Sequence, residues 1–155
     1  WIYEIKSGIL TQYTEGRHPK FTPDGKRFLF KRAKKTGENK WYGLWTVDLE
    51  TGAEVNIIEG EDFGVASFDI SPDGKKIAFA TDKGTKDSPT TRRNLNIWTI
   101  DINGSNLTQL TFHQSDDTEP HWSPDMSGIY FLSVRGEENE KTVNIWKLSL
   151  AKVNQ

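Results

Sequence analysis

The sequence contains no cysteine in 155 residues. Disulfides, cysteine-ligated zinc and a cysteine nucleophile are excluded together, and the chain suits an oxidising or a reducing compartment equally. It also has almost no net charge. Twenty Lys and Arg against 22 Asp and Glu leave −2, too weak a field to draw in nucleic acid or an anionic membrane. No apolar run approaches the ~18 residues of a membrane helix, so membrane insertion is not expected. Trp1 to Gly8 lack the charged start and apolar middle of a signal peptide. A leader removed ahead of Trp1 would leave the same sequence, so that absence says nothing about compartment. Missing too are a Gly-x-Ser-x-Gly elbow, a phosphate-cradling glycine loop and a histidine pair at helical spacing. No cofactor and no catalytic constellation is expected, and a binding role leads. Hydrophobic content is only 34%, yet 36 of 155 residues are Leu, Ile, Val or Phe, above the ~20% level below which disorder is expected.

What is present is a repeat. Thr22-Pro23-Asp24-Gly25 returns as Ser71-Pro72-Asp73-Gly74 and as Ser123-Pro124-Asp125-Met126, the aspartates 49 and then 52 residues apart. Leu44-Trp45-Thr46-Val47-Asp48-Leu49 returns as Ile97-Trp98-Thr99-Ile100-Asp101-Ile102 and as Ile145-Trp146-Lys147-Leu148-Ser149-Leu150. Ile2 to Lys6 is a weaker fourth copy. Leu10-Thr11-Gln12-Tyr13-Thr14 after it matches Leu107 to Thr111 at four of five positions. Trp45, Val47 and Leu49 alternate with polar residues at the period of a strand. Pro-Asp-Gly is turn chemistry: proline presets φ, aspartate bonds local backbone and glycine takes φ > 0. The turn joins strand A, ending near Phe21, Ile70 or Trp122, to strand B. Strand C carries the tryptophan, and strand D follows at Val55 to Ile58 and Leu107 to Thr111. Four strands in ~50 residues is the content of one propeller blade.

The Trp/Phe-Ser/Thr-Pro-Asp-Gly turn, the Ile-Ala-Phe strand after it, Asn96-Ile97-Trp98 and the Asn103 to Thr111 segment resemble TolB-type (WD-like) β-propeller repeats. The resemblance covers essentially the whole chain and is closest over Ser71 to Thr111. It departs at Met126, which stands where glycine is expected and leaves the third turn's geometry open. The fold expected is all-β, a single propeller segment over residues 1–155 built of four-stranded antiparallel blades. A part-blade occupies 1–14, blades occupy 17–59 and 65–111, and an incomplete blade occupies 118–150. In chain order the strands run C, D, then A to D twice, then A, B, C. Thirteen strands fall short of the four blades a ring needs. Two arrangements satisfy this count: a piece of a longer propeller, or a homo-oligomer that completes the ring. Two copies bring 26 strands to the 24 of six blades, leaving Ile2 to Lys6 of each redundant.

A-B and C-D turns share one edge of every blade, and B-C and D-A connections the other. The second edge is expected to carry long polar loops at Lys31 to Lys40, Lys83 to Arg93, Arg135 to Lys141, Glu59 to Gly64 and Phe112 to Thr118. Loops on a rigid scaffold are where binding usually resides, so this edge is the expected partner face. The densest polar cluster is His113, Asp116, Asp117, Glu119 and His121. These residue types can ligate a divalent metal or move protons, but their spacing fits no specific site, and a polar loop entering strand A accounts for them more simply. His121 is equivalent to Lys20 and Asp69, so all three units place a polar residue just before the turn, either lining a channel or buried with hydrogen-bond partners. Asp101 to Asn106 lacks the glycine position and bidentate acid of a calcium loop and reads as a hairpin turn. The basic stretches Lys31 to Lys35 and Arg92-Arg93 lack the aromatic interleaving of a nucleic-acid site. Asn103-Gly104-Ser105 and Asn106-Leu107-Thr108 fit the glycosylation pattern. The recurring tryptophans pack between blades.

The resemblance implies a non-catalytic scaffold for protein–protein recognition, periplasmic or otherwise extracytoplasmic, with a protein partner. Two enzyme-linked alternatives share these repeats: the propeller that gates a prolyl-oligopeptidase-like protease, and an oligogalacturonate-lyase-like propeller that holds a metal through histidines, for which His113 and His121 are the candidates.

Overall fold

The Pro-Asp-Gly turn sets where each sheet doubles back, and the fold builds outward from it. In the computed structural model, which describes residues 2–36, 39–85, 94–136 and 142–150, the Thr22 hydroxyl donates to Asp24 Oδ1 at 2.6 Å and the Gly25 N–H reaches the Thr22 carbonyl at 2.9 Å. Ser71, Asp73 and Gly74 repeat this at 2.6 and 2.8 Å. The hydroxyl oxygens of Thr22, Ser71 and Ser123 accept the N–H groups of Arg27, Lys76 and Gly128. All three hydroxyl residues are buried, so the bonds satisfy polar groups that water does not reach. Gly25 and Gly74 sit at φ 69° and 70°. Met126 adopts φ 59° and donates its N–H to Ser123 at 3.0 Å. The third turn therefore keeps the geometry of the other two without glycine, at a backbone cost of about 1–2 kcal/mol.

Among the described residues there is no helix, and thirteen strands form four antiparallel sheets. A short hairpin of β1 (Ile2–Tyr3) and β2 (Leu10–Thr11) comes first. The first full blade is β3 (Arg17–Phe21), β4 (Arg27–Thr36), β5 (Asn39–Asp48) and β6 (Glu54–Ile58). The second is β7 (Val65–Ile70), β8 (Lys76–Thr81), β9 (Asn96–Asp101) and β10 (Thr108–Gln109). The third holds β11 (Asp117–Trp122), β12 (Gly128–Ser133) and β13 (Asn144–Ser149). Each sheet is paired in chain order, A to B to C to D, which is the meander of a propeller blade.

Two segments differ from the sequence reading. Lys31–Thr36 and Asn39–Lys40 are strand, not loop: β4 and β5 pair from Arg27↔Asp48 out to Thr36↔Asn39. Their polar composition hid strands whose cations lie along the sheet. The Arg32 guanidinium sits 4.8 Å from the Trp45 ring and 2.7 Å from Glu54, and Lys34 lies 3.0 Å from Glu59. The second difference is at the start. Only Ile2–Tyr3 of the weak strand-C copy is extended, because Glu4 turns the chain through bonds to Ile9 and Gly8. Of the expected loops, 86–93 and 137–141 lie outside the described residues.

Burial follows alternation along strands B and C. Ile77, Phe79 and Ile100 of the second blade pack on Leu29, Leu44 and Ile57 of the first. Ile129 and Phe131 of the third, with Trp122, pack on Ala78, Ala80 and Ile97 of the second. Successive residues of one strand thus face the preceding and the following blade in turn. Phe28, Phe30 and Val47 form a third cluster, against Ile2, Trp45 and Leu49.

Because Met126 occupies a left-handed position, Met126→Gly is expected to raise the unfolding free energy by about 0.5–1 kcal/mol, and Gly74→Ala to lower it, in urea titrations. A second prediction concerns acid. The Thr22 hydroxyl and then the Lys26 N–H hold the Asp24 carboxyl below its ordinary value. Burial pushes Asp73 up, but the Ser71 hydroxyl and Lys75 N–H overcome it, while the Ser123 hydroxyl and Ser127 N–H hold Asp125 far down. A carboxylate with a lowered folded pKa contributes stability above its unfolded value, near 3.9, and loses it as pH falls through the folded one. The urea midpoint should therefore fall below about pH 4, and replacing all three aspartates with asparagine should flatten that fall.

Candidate functional site on the inner strands

Each strand A carries an irregularity ahead of its turn, at equivalent places in β3 and β11 and one residue earlier in β7. Pairing shifts register between Arg17 and Lys20 in β3, between Val65 and Ser67 in β7, and between Thr118 and His121 in β11. His18 and Glu119, each followed by proline, take φ 54° and 48°. A bulge of this kind bends a strand and re-aims the side chains after it. Here those side chains are Lys20, Asp69 and His121, and they meet. Lys20 Nζ lies 2.9 Å from Asp69 Oδ1. Asp69 Oδ2 accepts the Trp122 N–H at 2.9 Å and lies 3.8 Å from His121 Nδ1. The positions that the repeat makes equivalent therefore form one polar ladder across three blades. It is both hydrogen-bonded and open to solvent, with side-chain exposure of 37%, 20% and 61% for Lys20, Asp69 and His121.

A second row lies two residues back. The Glu119 N–H donates to Ser67 Oγ at 2.9 Å. Behind it Lys31, from β4, is buried and donates its amine to the Ala66 carbonyl, with the Tyr42 ring 5.5 Å away. Burial pushes the Lys31 amine below its usual pKa, with Glu119 opposing the shift and Arg17 adding to it. His18, Lys20, Lys31, Ser67, Phe68 and Glu119 line a cleft of about 90 Å³ between the first two blades.

The five residues singled out by sequence are distributed over three tasks. His113 Nδ1 accepts the Ser115 N–H at 3.0 Å, and Asp116 Oδ1 accepts the Leu95 N–H at 2.9 Å, so both fasten the D-A connection. Asp117 is fully buried and pairs with Arg135, whose guanidinium lies over Phe131 and Trp146. That pair ties the start of β11 to the end of β12. Glu119 and His121 belong to the two inner rows. Among the described residues no three His, Asp or Glu side chains converge as metal ligands. Sequence reasoning found the Lys20, Asp69 and His121 positions but not their mutual contact, and it missed Lys31, whose partner is a backbone carbonyl. Open clefts do not separate the two edges of the blades. One of about 300 Å³ lies by Pro23, Arg27 and Asp73, and one of about 320 Å³ by Gln114, Ser115 and Thr118.

No family model matches the chain. Dipeptidyl-peptidase 5 of Porphyromonas gingivalis is 30% identical over 122 residues, covering 75% of this chain and 17% of that protein. The chain thus spans about a sixth of that relative's length. Among solved structures, the putative TolB of Agrobacterium tumefaciens superposes with a TM-score of 0.68 at 21% identity, over 89% of this chain and 48% of that one. TolB of Acinetobacter baumannii gives 0.64 at 25% identity, over 86% and 29%. The fold is that of a partial TolB-type β-propeller, as the resemblance of its repeats implies.

Asp69 is the joint of the ladder, so its substitutions separate charge from hydrogen bonding. Asp69→Asn keeps an acceptor for the Trp122 N–H and loses a half-exposed ion pair, which should cost less than about 1 kcal/mol. Asp69→Ala strands that N–H and should cost about 1–3 kcal/mol, both read from urea unfolding.

Proposed function

We propose that the chain is a non-catalytic propeller segment, with the blade limits given by its repeat, that recognises a protein partner through the inner-strand ladder and the adjoining B-C and D-A edge. The observation that carries this reading is the ladder itself. Three equivalent positions present lysine, aspartate and histidine in one connected and solvent-accessible row. A rigid, pre-assembled charge pattern supplies register and specificity in protein–protein recognition. By contrast, the side chains best suited to chemistry, His113, Asp116 and Asp117, accept or pair within the scaffold. The likeness to TolB structures supports a protein partner and an extracytoplasmic site of action. Fold likeness alone assigns no partner, so the reading rests on the ladder.

A second reading starts from the match to dipeptidyl-peptidase 5 and takes the segment as the non-catalytic propeller of a peptidase-like chain. The same polar row then meets peptides on their way to a catalytic domain.

Lys20→Glu combined with His121→Glu should cut partner recovery at least tenfold in quantitative pull-downs from an envelope extract, while leaving the unfolding midpoint nearly unchanged. Lys26→Glu, on the exposed tight-turn edge, should leave recovery intact. Equal recovery by all three proteins would refute the ladder as the contact surface. Faster turnover of an attached peptidase on binding of short peptides, lost in the same double variant, would select the second reading.

A further inference from the structure

Lys31 is a buried cation with no anion against it. It is 7% exposed, and its amine donates to the Ala66 carbonyl. That oxygen answers one of an ammonium's three N–H groups and none of the charge. Glu119 acts on the amine only through space, and among the described residues no carboxylate lies within ion-pair distance of it. Lysines this deep are almost always paired, and burial pushes this one below its usual pKa. Lys20, which lines the same cleft, shows the ordinary arrangement, with Asp69 at 2.9 Å.

The cleft beside Lys31 is walled by the inner strands of adjoining blades. Lys20 and Lys31 come from the first blade, Ser67 and Phe68 from the second and Glu119 from the third. Phe68 is 4% exposed and makes an apolar wall, its ring centre 5.8 Å from Lys20 Nζ. Ser67 Oγ already accepts the Glu119 N–H at 2.9 Å, so the hydroxyl proton is left to donate. His18 and Glu119 stand at the exposed rim, where solvent screens the carboxylate. Inside, Lys20 and Lys31 against Asp69 leave one positive charge. That matches a monoanion and not a doubly charged phosphate.

We infer that this cleft seats the side-chain carboxylate of an aspartate or glutamate carried by a protein partner. Its oxygens take hydrogen bonds from Lys31 Nζ, the Ser67 hydroxyl and Lys20 Nζ, and its methylenes lie on the Phe68 ring. Hydrogen bonds between ionised groups in so sheltered a place are the strong kind. A cleft of about 90 Å³ suits a narrow, unbranched arm. A chain end fits it less well, because that carboxylate sits on a branched carbon next to a peptide N–H. Glu119 is then a rival anion at the entrance that weakens binding and excludes ligands of higher charge. The inference rests on the recognition role proposed above and narrows it to a partner segment with an acidic side chain at the ladder.

Isotope-labelled protein titrated with N-acetyl-glutamate N-methylamide, which carries only a side-chain carboxylate, should show saturable shifts of the Ser67 and Phe68 amide signals. N-acetylglutamine, whose only carboxylate is that of a chain end, should bind several-fold more weakly, and inorganic phosphate should not compete. Lys31→Met should weaken the first probe at least tenfold, and Ser67→Ala several-fold. Glu119→Gln, at an exposed site, should tighten it about threefold, a gain that a purely structural role for these residues would not produce. No saturable shift, tighter binding of N-acetylglutamine or phosphate, or a Glu119→Gln protein that binds no better would each overturn the inference. Loss of probe binding in Lys31→Met with unchanged partner recovery in pull-downs would uphold the carboxylate site and refute the recognition role. Intact probe binding in Lys31→Met, with the partner still lost on combining Lys20→Glu and His121→Glu, would do the reverse.

Discussion

A four-stranded sheet of this kind has apolar side chains on both faces and cannot bury either by itself. The alternation within strands B and C makes neighbouring blades each other's core. Phe79 belongs to the seam behind it and Ala80 to the seam ahead, although they are adjacent in sequence. Burying a side chain of that size is worth about 1.5–3 kcal/mol relative to exposure, and nearly all such burial here lies between sheets. Stability is therefore a property of neighbours, as in other repeat architectures, and the polar features depend on seams that hold the inner strands in step.

The inner strands show what that alignment makes possible. A lysine, an aspartate and a histidine separated by about fifty residues each become a contiguous row, because each strand A is bulged ahead of that position and the three sheets stay in step beyond it. The bulges cost backbone strain at His18 and Glu119. They also free the Trp122 N–H to meet Asp69. An ion pair as open as Lys20 with Asp69 adds little stability. Its value lies in presenting an ordered pattern of charge, which is why the proposed recognition role rests there and not on the buried Asp117–Arg135 pair.

Much of this was legible in the chain. Strand order, turn positions and the equivalence of Lys20, Asp69 and His121 followed from motifs spaced about one blade apart. The β4–β5 hairpin was not, because its Lys and Arg residues read as loop composition, while the Arg32 guanidinium lies over Phe30 and Trp45 and the Lys31 amine over Tyr42. The tryptophans were read as packing between blades. Trp45 and Trp98 do pack in seams, whereas Trp146 lies under Arg135 and is 37% exposed. Lys31 illustrates the general limit: a side chain that answers to a main-chain oxygen on a neighbouring sheet leaves no trace in residue types.

The two internal seams match in pattern but not in volume. Leu29 opposes Ile77 and Phe79 in one, while Ala78 and Ala80 make room for Trp122 in the other. Duplicating or shuffling whole units in evolution would therefore not be neutral. Placing the third unit directly after the first would drive an indole into a leucine. The order of these blades is inherited as a set, and any lengthening of such a ring by recombination must carry matching small residues with each large newcomer.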